Sequence, residues 1–382
     1  MFEGEGFAAE GGELRSLYEG EFSGIGEISA ALALRDASGR DLSGEAGAVQ
    51  GSSMKDAIGA VERDVRMREL PPPDAIGYRV VHPGPRLRGH QRLTAEVLAE
   101  LHKTVAYAPL HNPEALEVID EMMRRFPAIA HFACFDTVFH ETMPEEATVY
   151  PLPEAVRKQG VRRYGFHGLS CESIVVQMRE AGELPRRTVI AHLGSGCSVT
   201  SCVDGRSVDT TMGLTPMGGV LMGTRPGDID PGVVFYLLRQ PGATVDSVET
   251  MLNRDSGIKV LGGVNDMREL RKREAAGDNK ARLAIRIFVN SVARAMAGMA
   301  ALHGADAAVF TGGIGEHDWA TREQIAAGLS ITLDAPANRA RESGLRRVSA
   351  AGAGIAVYVA PAEEDLMIAR HVAKMLREHP NA

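Results

Sequence analysis

Short apolar strands and amphipathic helices alternate along most of the first half of the chain. Apolar runs predict strands at Gly77–His82 and Ala128–Asp136, with one amphipathic helix from Thr94 and another from Asn112 between them. Asn112 is predicted to be the N-cap of its helix, because its side chain can accept a hydrogen bond from a free backbone N–H. This alternation of strands and helices is typical of an α/β fold.

The second half of the chain also alternates between predicted strands and helices, and its turns are easier to recognise. The segment Arg187–Gly213 reads as three strands, separated by a Gly-Ser-Gly turn and by an Asp204–Gly205 hairpin turn. A long helix is predicted to open at Asn279 and close at Gly304. A strand in Asp306–His317 then breaks into a second glycine turn, and a helix with acidic residues first and basic residues last ends the chain. The whole sequence therefore predicts the α/β class.

Length, composition and charge restrict the protein class. At 382 residues the chain exceeds what one core usually covers, so two domains are expected. With 44% hydrophobic and 24% charged residues it is an ordinary globular sequence, and a net charge of −8 gives no reason to expect nucleic acid or an anionic membrane as a partner. No uninterrupted apolar run approaches a membrane span, and no signal peptide is recognisable. The four cysteines form no CxxC pair, which favours reduced thiols in a cytoplasmic protein.

Two glycine turns follow apolar strands, in "HLGSGCS" and in "FTGGIGEH". Glycine allows positive φ and close approach, so such turns can direct backbone N–H groups at phosphate. Neither matches G-x-G-x-x-G, and no P-loop motif occurs. A plain turn explains either one alone. Together they favour a nucleotide-binding cleft.

Four polar residues interrupt or end apolar segments: Arg79 in "YRVVH", Asp136 after "ACF", His167 in "YGFHG", and Arg225, which the loop "MGTRPGDIDPG" places beside two aspartates. The first three each have an ordinary explanation: a surface ion pair for Arg79, a helix cap for Asp136 and a core histidine for His167. As a set, two arginines, a carboxylate and a histidine suit phosphoryl transfer between anions, because arginine and imidazole can hold the charge that spreads over the transferred oxygens. The acidic "PAEED" segment could hold magnesium.

These motifs resemble those of acetate kinases. "VVH", "APLHNP", "FDTVFH", "YGFHG", "AHLGSGCSV", "TPMGGVLMGTRPGDIDPG", "FTGGIGEH" and "EEDLMIAR" occur in that family's order and spacing from Gly77 onwards. The resemblance implies an α/β fold of two related domains, in the actin, sugar kinase and heat-shock ATPase superfamily, with an interdomain nucleotide cleft. Residues 1–137 with 365–382 would form the first domain, and residues 138–364 the second, with the adenosine site.

The resemblance also implies an activity and a set of site residues. Magnesium, or manganese, would assist reversible phosphoryl transfer from ATP to acetate, giving acetyl phosphate and ADP, in a cytoplasmic homodimer. The implied catalytic residues are Asp136, His167 and Arg225. Acetate would bind to Arg79, with its methyl group among Val81, Leu110, Phe166 and Pro216. ATP would contact His192, Leu193, Gly194, Ser195, Gly196, Asp266, Met267, Arg268, Gly313, Ile314, Gly315, Glu316 and His317, and Glu364 would bind the metal.

Departures from the family pattern keep alternatives open. Ser195 stands where the family usually has asparagine, and Pro83 and Pro85 flank the segment after Arg79. The sequence contains no Asn-x-Gly-Ser-Ser-Ser-x-Lys turn, so we expect the family's first strand and its phosphate-contacting loop to be missing. A propionate or butyrate kinase, a catalytically impaired nucleotide-binding relic, and a metal hydrolase using Asp136, His140 and His167 are the alternatives.

Overall fold

The computed structural model describes residues 1–4, 14–23, 31–43, 53–69, 73–107 and 112–378. The chain splits into two compact units. One comprises Met1–Phe135 together with Glu364–Ala382, and the other comprises Asp136–Glu363. Each unit is described by itself below.

The described part of the first unit contains short strands, grouped in three small sheets, and helices. Strand β7 is the centre of a three-stranded sheet in which β5 is parallel and β6 antiparallel to it, while β1–β2 and β3–β4 are antiparallel pairs. The strands are β1 (Phe2–Gly4), β2 (Leu14–Ser16), β3 (Tyr18–Ser23), β4 (Ala31–Asp36), β5 (Ala75–Val80), β6 (Gln91–Arg92) and β7 (Ala130–Phe135). The helices are α1 (Met54–Met67), α2 (Ala95–His102), α3 (Asn112–Arg125) and α15 (Glu364–Glu378), with a 3₁₀ turn at Val105–Tyr107.

Helix α15, at the end of the chain, packs on β5, near the middle of the unit's sequence. A Cβ atom on Gly77 would lie 2.6 Å from Ile368 Cγ2 and 2.7 Å from Val372 Cγ2, so only glycine allows the helix this close to the strand. The two strands and the two helices predicted in this part are confirmed as β5, β7, α2 and α3. Helix α2 begins as predicted, because the Thr94 side chain accepts a hydrogen bond from the backbone N–H of Val97.

The predicted helix cap at Asn112 is wrong. Asn112 is the first residue of α3, and its buried side chain instead donates to the His82 carbonyl oxygen at 2.8 Å and accepts from the His82 N–H. The backbone N–H of Gly84 donates to His82 Nδ1 at 2.9 Å, and the Thr104 hydroxyl also contacts the His82 carbonyl. These contacts fix the segment that leaves β5, immediately after Arg79 and Val80.

The second unit is built on one six-stranded mixed sheet with strand order β10-β9-β8-β11-β13-β12. Strands β8, β11 and β13 are parallel to one another, and the other pairs are antiparallel. The strands are β8 (Arg187–Leu193), β9 (Cys197–Val203), β10 (Arg206–Thr210), β11 (Ala307–Thr311), β12 (Arg346–Arg347) and β13 (Ala356–Val359). The helices are α4 (Glu145–Thr148), α5 (Glu154–Arg157), α6 (Gly168–Glu180), α7 (Pro231–Leu238), α8 (Val245–Arg254), α9 (Gly257–Gly262), α10 (Met267–Ala275), α11 (Asn279–His303), α12 (Gly312–His317), α13 (Trp319–Gly328) and α14 (Ala335–Arg339), with a 3₁₀ turn at Val138–Thr142.

The sheet is covered on both faces. Helix α6 contributes Ile174 and Met178 to a core cluster with Ile190 of β8, and Val189, whose side chain points to the opposite face, is also buried. Helix α11 packs on β8 and β9. Burial on both faces explains why β8 reads as an almost continuous apolar run in the sequence.

The long helix α11 begins at Asn279, as predicted, but its cap is the residue before Asn279. Asp278 is the N-cap, and its carboxylate accepts hydrogen bonds from the N–H groups of Lys280 and Ala281. The predicted end is confirmed, since Gly304 closes the helix with a φ of 76°. With 25 residues, α11 is long and apolar enough to cross a membrane by length and composition, although the sequence has no uninterrupted apolar run. Its packing on the sheet is that of a core helix.

Candidate active site

The loop that carries Arg225 is held by backbone contacts that only glycine permits. The Met222 N–H donates to the Arg225 carbonyl oxygen at 3.0 Å, which closes a tight turn. Gly257, at a φ of 69°, lies so close that a Cβ atom there would be 2.7 Å from the Arg225 nitrogen. Gly227, at a φ of 71°, is equally close to the carbonyl oxygens of Gly219 and Val220. The turn is therefore rigid on both sides of Arg225.

The two aspartates of this loop also stiffen the backbone. Asp228 accepts a hydrogen bond from the Gly219 N–H at 2.6 Å. Asp230 caps α7 by accepting from the Gly232 N–H at 2.8 Å. No ion pair joins either carboxylate to Arg225 among the described residues. The two aspartates near Arg225 in the sequence therefore hold the backbone of the loop by accepting hydrogen bonds from its N–H groups.

The side chain of Arg225 is buried, with 9% of its surface exposed. Its guanidinium donates to the carbonyl oxygen of Pro216. Burial lowers the pKa of Arg225, because the charged form loses hydration. Burial likewise raises the pKa of the neighbouring Cys197 thiol to about 12, and that thiol donates to the Gly194 carbonyl oxygen at 3.3 Å. A neutral thiol therefore lies beside the Arg225 guanidinium.

Arg225 and His167 converge on the first glycine turn. A Cβ atom on Gly196 would lie 2.9 Å from Arg225 Nη2 and 3.0 Å from His167 Nε2. The turn itself is closed by a hydrogen bond from the Gly194 N–H to the Gly196 carbonyl oxygen at 2.9 Å. A guanidinium and an imidazole therefore lie beside the same backbone position, an arrangement that can hold an anion.

His167 sits in a strained backbone position and stacks on His192. Its φ of 58° is left-handed, which is uncommon for a residue other than glycine, and it immediately precedes α6. The two imidazole rings are stacked, with centroids 4.1 Å apart. His167 Nδ1 lies 3.0 Å from the Ser198 hydroxyl, and His192 Nδ1 lies 2.8 Å from the Ser170 hydroxyl. Both rings are thereby fixed by side chains that the sequence analysis did not identify.

The second glycine turn lies directly beside the first. Strands β8 and β11 are parallel neighbours, with Thr311 paired to His192, so both turns leave the same edge of the sheet. Gly312, at a φ of 75°, approaches Leu193 so closely that a Cβ atom there would be 2.8 Å from the Leu193 carbonyl oxygen. Strand order thus brings together two turns that are far apart in the sequence.

A buried arginine of α13 holds helix α12 in place. Helix α12 includes Gly313, Ile314, Gly315, Glu316 and His317. The guanidinium of Arg322, 1% exposed, donates to the carbonyl oxygens of Gly315 and Glu316 at 2.9 and 2.8 Å, and to both oxygens of Asn338. Burial lowers the pKa of Arg322 to about 10. Sequence reasoning missed this arginine, because an arginine within a helical segment usually lies on the surface.

The segment Asp266–Arg268 lies near the first turn through its neighbour Asn265. A Cβ atom on Gly223 would be 3.3 Å from the Ser195 carbonyl oxygen and 3.7 Å from Asn265 Cβ. Asp266 caps α10 and forms a two-pronged ion pair with Arg268, and the hydrogen bonds from Arg268 lower the pKa of Asp266 to about 2. The side chain of Met267 is buried in the core, so it faces away from solvent.

Asp136 and His140 lie next to the start of α6. Asp136 is buried, and its carbonyl oxygen accepts a hydrogen bond from Gly168 N–H at 2.8 Å. Both ring nitrogens of His140 are engaged, Nδ1 with the Ser207 hydroxyl and Nε2 with the Phe166 carbonyl oxygen, each at 2.9 Å. A ligand nitrogen needs a lone pair directed at the metal, so His140 is a core histidine and the metal-hydrolase alternative loses its second ligand.

The remaining predicted residues belong mainly to the first unit. Arg79 Nε lies 3.4 Å from a carboxylate oxygen of Glu364, and these side chains are 39% and 21% exposed. Val81 follows β5 and is half-buried, whereas Leu110 lies outside the described residues. Phe166 and Pro216 are buried in the second unit, where the Pro216 carbonyl contacts Arg225.

A sequence model of the acetokinase family matches residues 30–370, most of the chain. The chain belongs to the acetokinase family. The family expected from the sequence motifs is therefore confirmed.

Relatives of this acetokinase family member match most of its length. The acetate kinase of Rhodopseudomonas palustris (strain TIE-1) is 43% identical over 334 residues, covering 85% of this chain and 82% of the relative. The acetate kinase of Nitrobacter hamburgensis is 42% identical over 386 residues, covering 98% and 94%.

Solved structures confirm the predicted fold class. Porphyromonas gingivalis acetate kinase matches with a TM-score of 0.82 and 30% identity, covering 96% of this chain and 94% of that structure. A propionate kinase from Francisella tularensis subsp. tularensis SCHU S4 matches with a TM-score of 0.85 and 34% identity, covering 93% and 92%. The α/β fold is that of the acetate and propionate kinases, within the actin, sugar kinase and heat-shock ATPase superfamily.

Proposed function

We propose that this protein is an acetate kinase that transfers the γ-phosphoryl group of ATP to acetate, reversibly, giving acetyl phosphate and ADP. The observation that carries the proposal is the convergence of Arg225 and His167 on Gly196, in a chain of the acetokinase family. The family membership supplies the reaction class. The convergence supplies two donors beside a glycine turn that can approach phosphate closely.

In the proposed reaction an acetate oxygen attacks the γ-phosphorus as the bond to the ADP oxygen breaks. No covalent intermediate with the protein is needed, because a carboxylate oxygen is already a competent nucleophile once aligned. Negative charge spreads over the three equatorial oxygens of the group in transfer. Arg225 and His167 donate hydrogen bonds to those oxygens. Burial strengthens both interactions, because little water competes for the donors.

We assign the remaining family residues by their chemistry. Arg79 is a half-exposed guanidinium that can bind the acetate carboxylate in two-pronged fashion, and Val81, Phe166 and Pro216 supply apolar surface for a methyl group. The buried Asp136 orients the substrate. His192 to Gly196 contact the phosphates of ATP, while Asp266 to Arg268 and Gly313 to His317 contact its adenosine.

Magnesium would be held by Glu364. Among the described residues this carboxylate has no group of two further metal-ligating side chains around it. That fits magnesium, which proteins usually bind through one or two carboxylates with phosphate oxygens and water as the other ligands. When bound, the ion would neutralise charge on the ATP phosphates.

The test of the proposed function is turnover of acetate and ATP in a coupled assay for ADP. Arg225→Ala should lower kcat by about a hundredfold or more, while the KM for ATP changes little, because a charge used mainly in the transition state affects turnover. Arg206→Ala, at an exposed arginine on β10, is the matched control and should behave like the parent. An Arg225→Ala variant with parental kcat would contradict the assignment.

Propionate is the second candidate substrate, because the Francisella tularensis structure that matches this chain is a propionate kinase. One methylene is worth only about 1–3 kcal/mol in an apolar pocket, so the family does not decide between the two acids. Comparing kcat/KM for acetate, propionate and butyrate separates the candidates. A ratio above one for propionate over acetate would replace the first proposal with the second.

We also propose that the enzyme is a homodimer in which α7 lies at the interface. This helix, "PGVVFYLL", buries none of its residues, and Val233, Phe235 and Tyr236 are 40%, 58% and 64% exposed. Exposed aromatic residues on an apolar helix are typical of a subunit interface. A second copy of the same face can cover this one by two-fold symmetry.

Phe235→Glu should convert the dimer to a monomer in analytical ultracentrifugation. Leu302→Glu, at an exposed leucine on α11, is the matched control and should remain dimeric. A parent that sediments as a monomer, or a Phe235→Glu variant that stays dimeric, would overturn the assignment of this face.

We further propose a cytoplasmic location, which the four free cysteines support.

A further inference from the structure

Two serine hydroxyls hold the stacked histidines in a crossed arrangement. Ser198, on β9, contacts His167 Nδ1 at 3.0 Å, and Ser170, on α6, contacts His192 Nδ1 at 2.8 Å. His167 itself immediately precedes α6, and His192 is the last residue but one of β8, where it pairs with Ser198 of β9. The ring of His167, which precedes α6, is thus bonded to β9, and the ring of His192, on β8, is bonded to α6. Both serines are fully buried, so these contacts are shielded from water.

The opposite nitrogens of both rings face the first glycine turn. His167 Nε2 would lie 3.0 Å from a Cβ atom on Gly196, and His192 Nε2 would lie 3.6 Å from a Cβ atom on Gly194. A neutral imidazole carries one N–H, and a serine hydroxyl can either donate to Nδ1 or accept from it, so the direction of this hydrogen bond sets the tautomer. A hydroxyl that donates to Nδ1 leaves the proton on Nε2.

We propose that Ser198 is a positioning residue that keeps the proton of His167 on Nε2, where it faces the transferred phosphoryl group, and that Ser170 does the same for His192 toward the ATP phosphates. The inference rests on the proposed function and deepens it. The other tautomer would present a lone pair to an anionic oxygen and repel it. The hydroxyls therefore make Nε2 of each ring a hydrogen-bond donor while both stacked imidazoles stay neutral.

The same strand provides a matched control. Ser201, also on β9, is buried to the same degree as Ser198, and its hydroxyl has no hydrogen-bond partner among the described residues. Ser201→Ala therefore removes a buried hydroxyl from β9 without touching either imidazole. Ser198→Ala removes one that contacts His167. The two variants differ in that contact, so any difference in activity reports on it.

The first measurement is the ¹⁵N NMR spectrum of protein labelled at histidine, with the His167 signals assigned by their loss in His167→Gln. The parent should show His167 protonated at Nε2 near neutral pH. Ser198→Ala should show a mixture of tautomers, and Ser201→Ala should match the parent. A parent protonated at Nδ1, or a tautomer unchanged in Ser198→Ala, overturns the inference. This readout needs no turnover, so it stands apart from a failure of the proposed function.

The second measurement is steady-state kinetics on the same variants. Ser198→Ala should lower kcat about tenfold, the effect of one lost hydrogen bond, and leave the KM for ATP within about twofold. Ser170→Ala should instead raise the KM for ATP. Ser198→Thr, which keeps the hydroxyl, should recover most of the lost kcat if its melting temperature is near that of the parent. Equal kcat in Ser198→Ala and Ser201→Ala would overturn the positioning role.

Discussion

Replacing Gly196 by alanine should remove most of the acetate kinase activity while the protein still folds. The added Cβ atom would lie 2.9 Å from Arg225 Nη2 and 3.0 Å from His167 Nε2. Unstrained contacts between such atoms are near 3.5 Å, so each group must move by about half an ångström. Gly196 has no positive φ, so alanine adds no backbone strain at this position.

The expected loss follows from that displacement. Misplacing catalytic groups by about 1 Å can cost a hundredfold in rate, and losing one stabilising donor costs about a hundred- to a thousandfold. Arg225 is held by the Pro216 carbonyl, so it cannot retreat without straining that hydrogen bond. We expect kcat to fall by about a hundredfold, which corresponds to about 2.7 kcal/mol of barrier. Overpacking should cost about 1–3 kcal/mol in the free energy of unfolding.

The assay is coupled turnover together with thermal unfolding. Gly298→Ala is the control, because a Cβ atom at that position of α11 meets nothing within 4 Å. That variant should keep parental kcat and gain slightly in stability, since alanine is a better helix former than glycine. A Gly196→Ala variant with kcat within twofold of the parent would refute the argument, because the two donors could then not be as close to the turn as the structure places them.

Three further predictions concern stability. Burial lowers the pKa of His140 to about 4; the unfolded state then binds the extra proton below about pH 6.5, so the free energy of unfolding should fall by about 3 kcal/mol as the pH drops from about 6.5 to 4. Urea unfolding should show this slope in the parent and not in His140→Gln; equal slopes contradict it. Arg322→Met leaves carbonyl acceptors unpaired and should cost about 3 kcal/mol or more in urea unfolding, whereas Met at exposed Arg286 should cost little. Asp278→Ala should lower the stability by about 1 kcal/mol through loss of the α11 cap, and Asn279→Ala should not; a larger loss for Asn279→Ala would restore the cap to that residue.

Local chemistry was readable from the sequence wherever neighbouring residues decide the conformation. The hairpin at Asp204–Gly205 follows from two residues that accept left-handed φ values, and both adopt them, at 51° and 74°. Gly304 ends α11 for the same reason, and Thr94 caps α2 with its own hydroxyl. These features depend on a few adjacent backbone groups. The pattern of apolar residues and turns was therefore sufficient to predict them.

The residue that caps a helix could not be predicted in this way where more than one arrangement of hydrogen bonds was possible. Asn112 and Asn279 are both good capping residues by type, yet Asn112 is drawn to His82, and the adjacent Asp278 caps α11. The sequence shows which side chains can accept a backbone hydrogen bond. It does not show which partner lies within reach, because His82 is brought to Asn112 by the folding of β5 against α3.

For the candidate active site, too, the sequence indicated the residues but not their arrangement. The sequence singled out Arg225, His167 and the glycine turns by residue type and by resemblance to the acetokinase family. Only the tertiary structure placed Arg225 and His167 at Gly196, since that depends on strand order and on how the loops leave the sheet.

The residues that hold this site in place were visible only in the structure. Ser170 and Arg322 lie outside the motifs, and the motif that contains Ser198 does not single out this residue. Each of the three acts through a partner distant in the sequence or through backbone carbonyls. Their importance comes from burial, which removes water as an alternative partner and leaves one geometry for each hydrogen bond. Burial is a property of the packed sheet and its helices, so the sequence determined which groups could do the chemistry, and the fold determined how they are held.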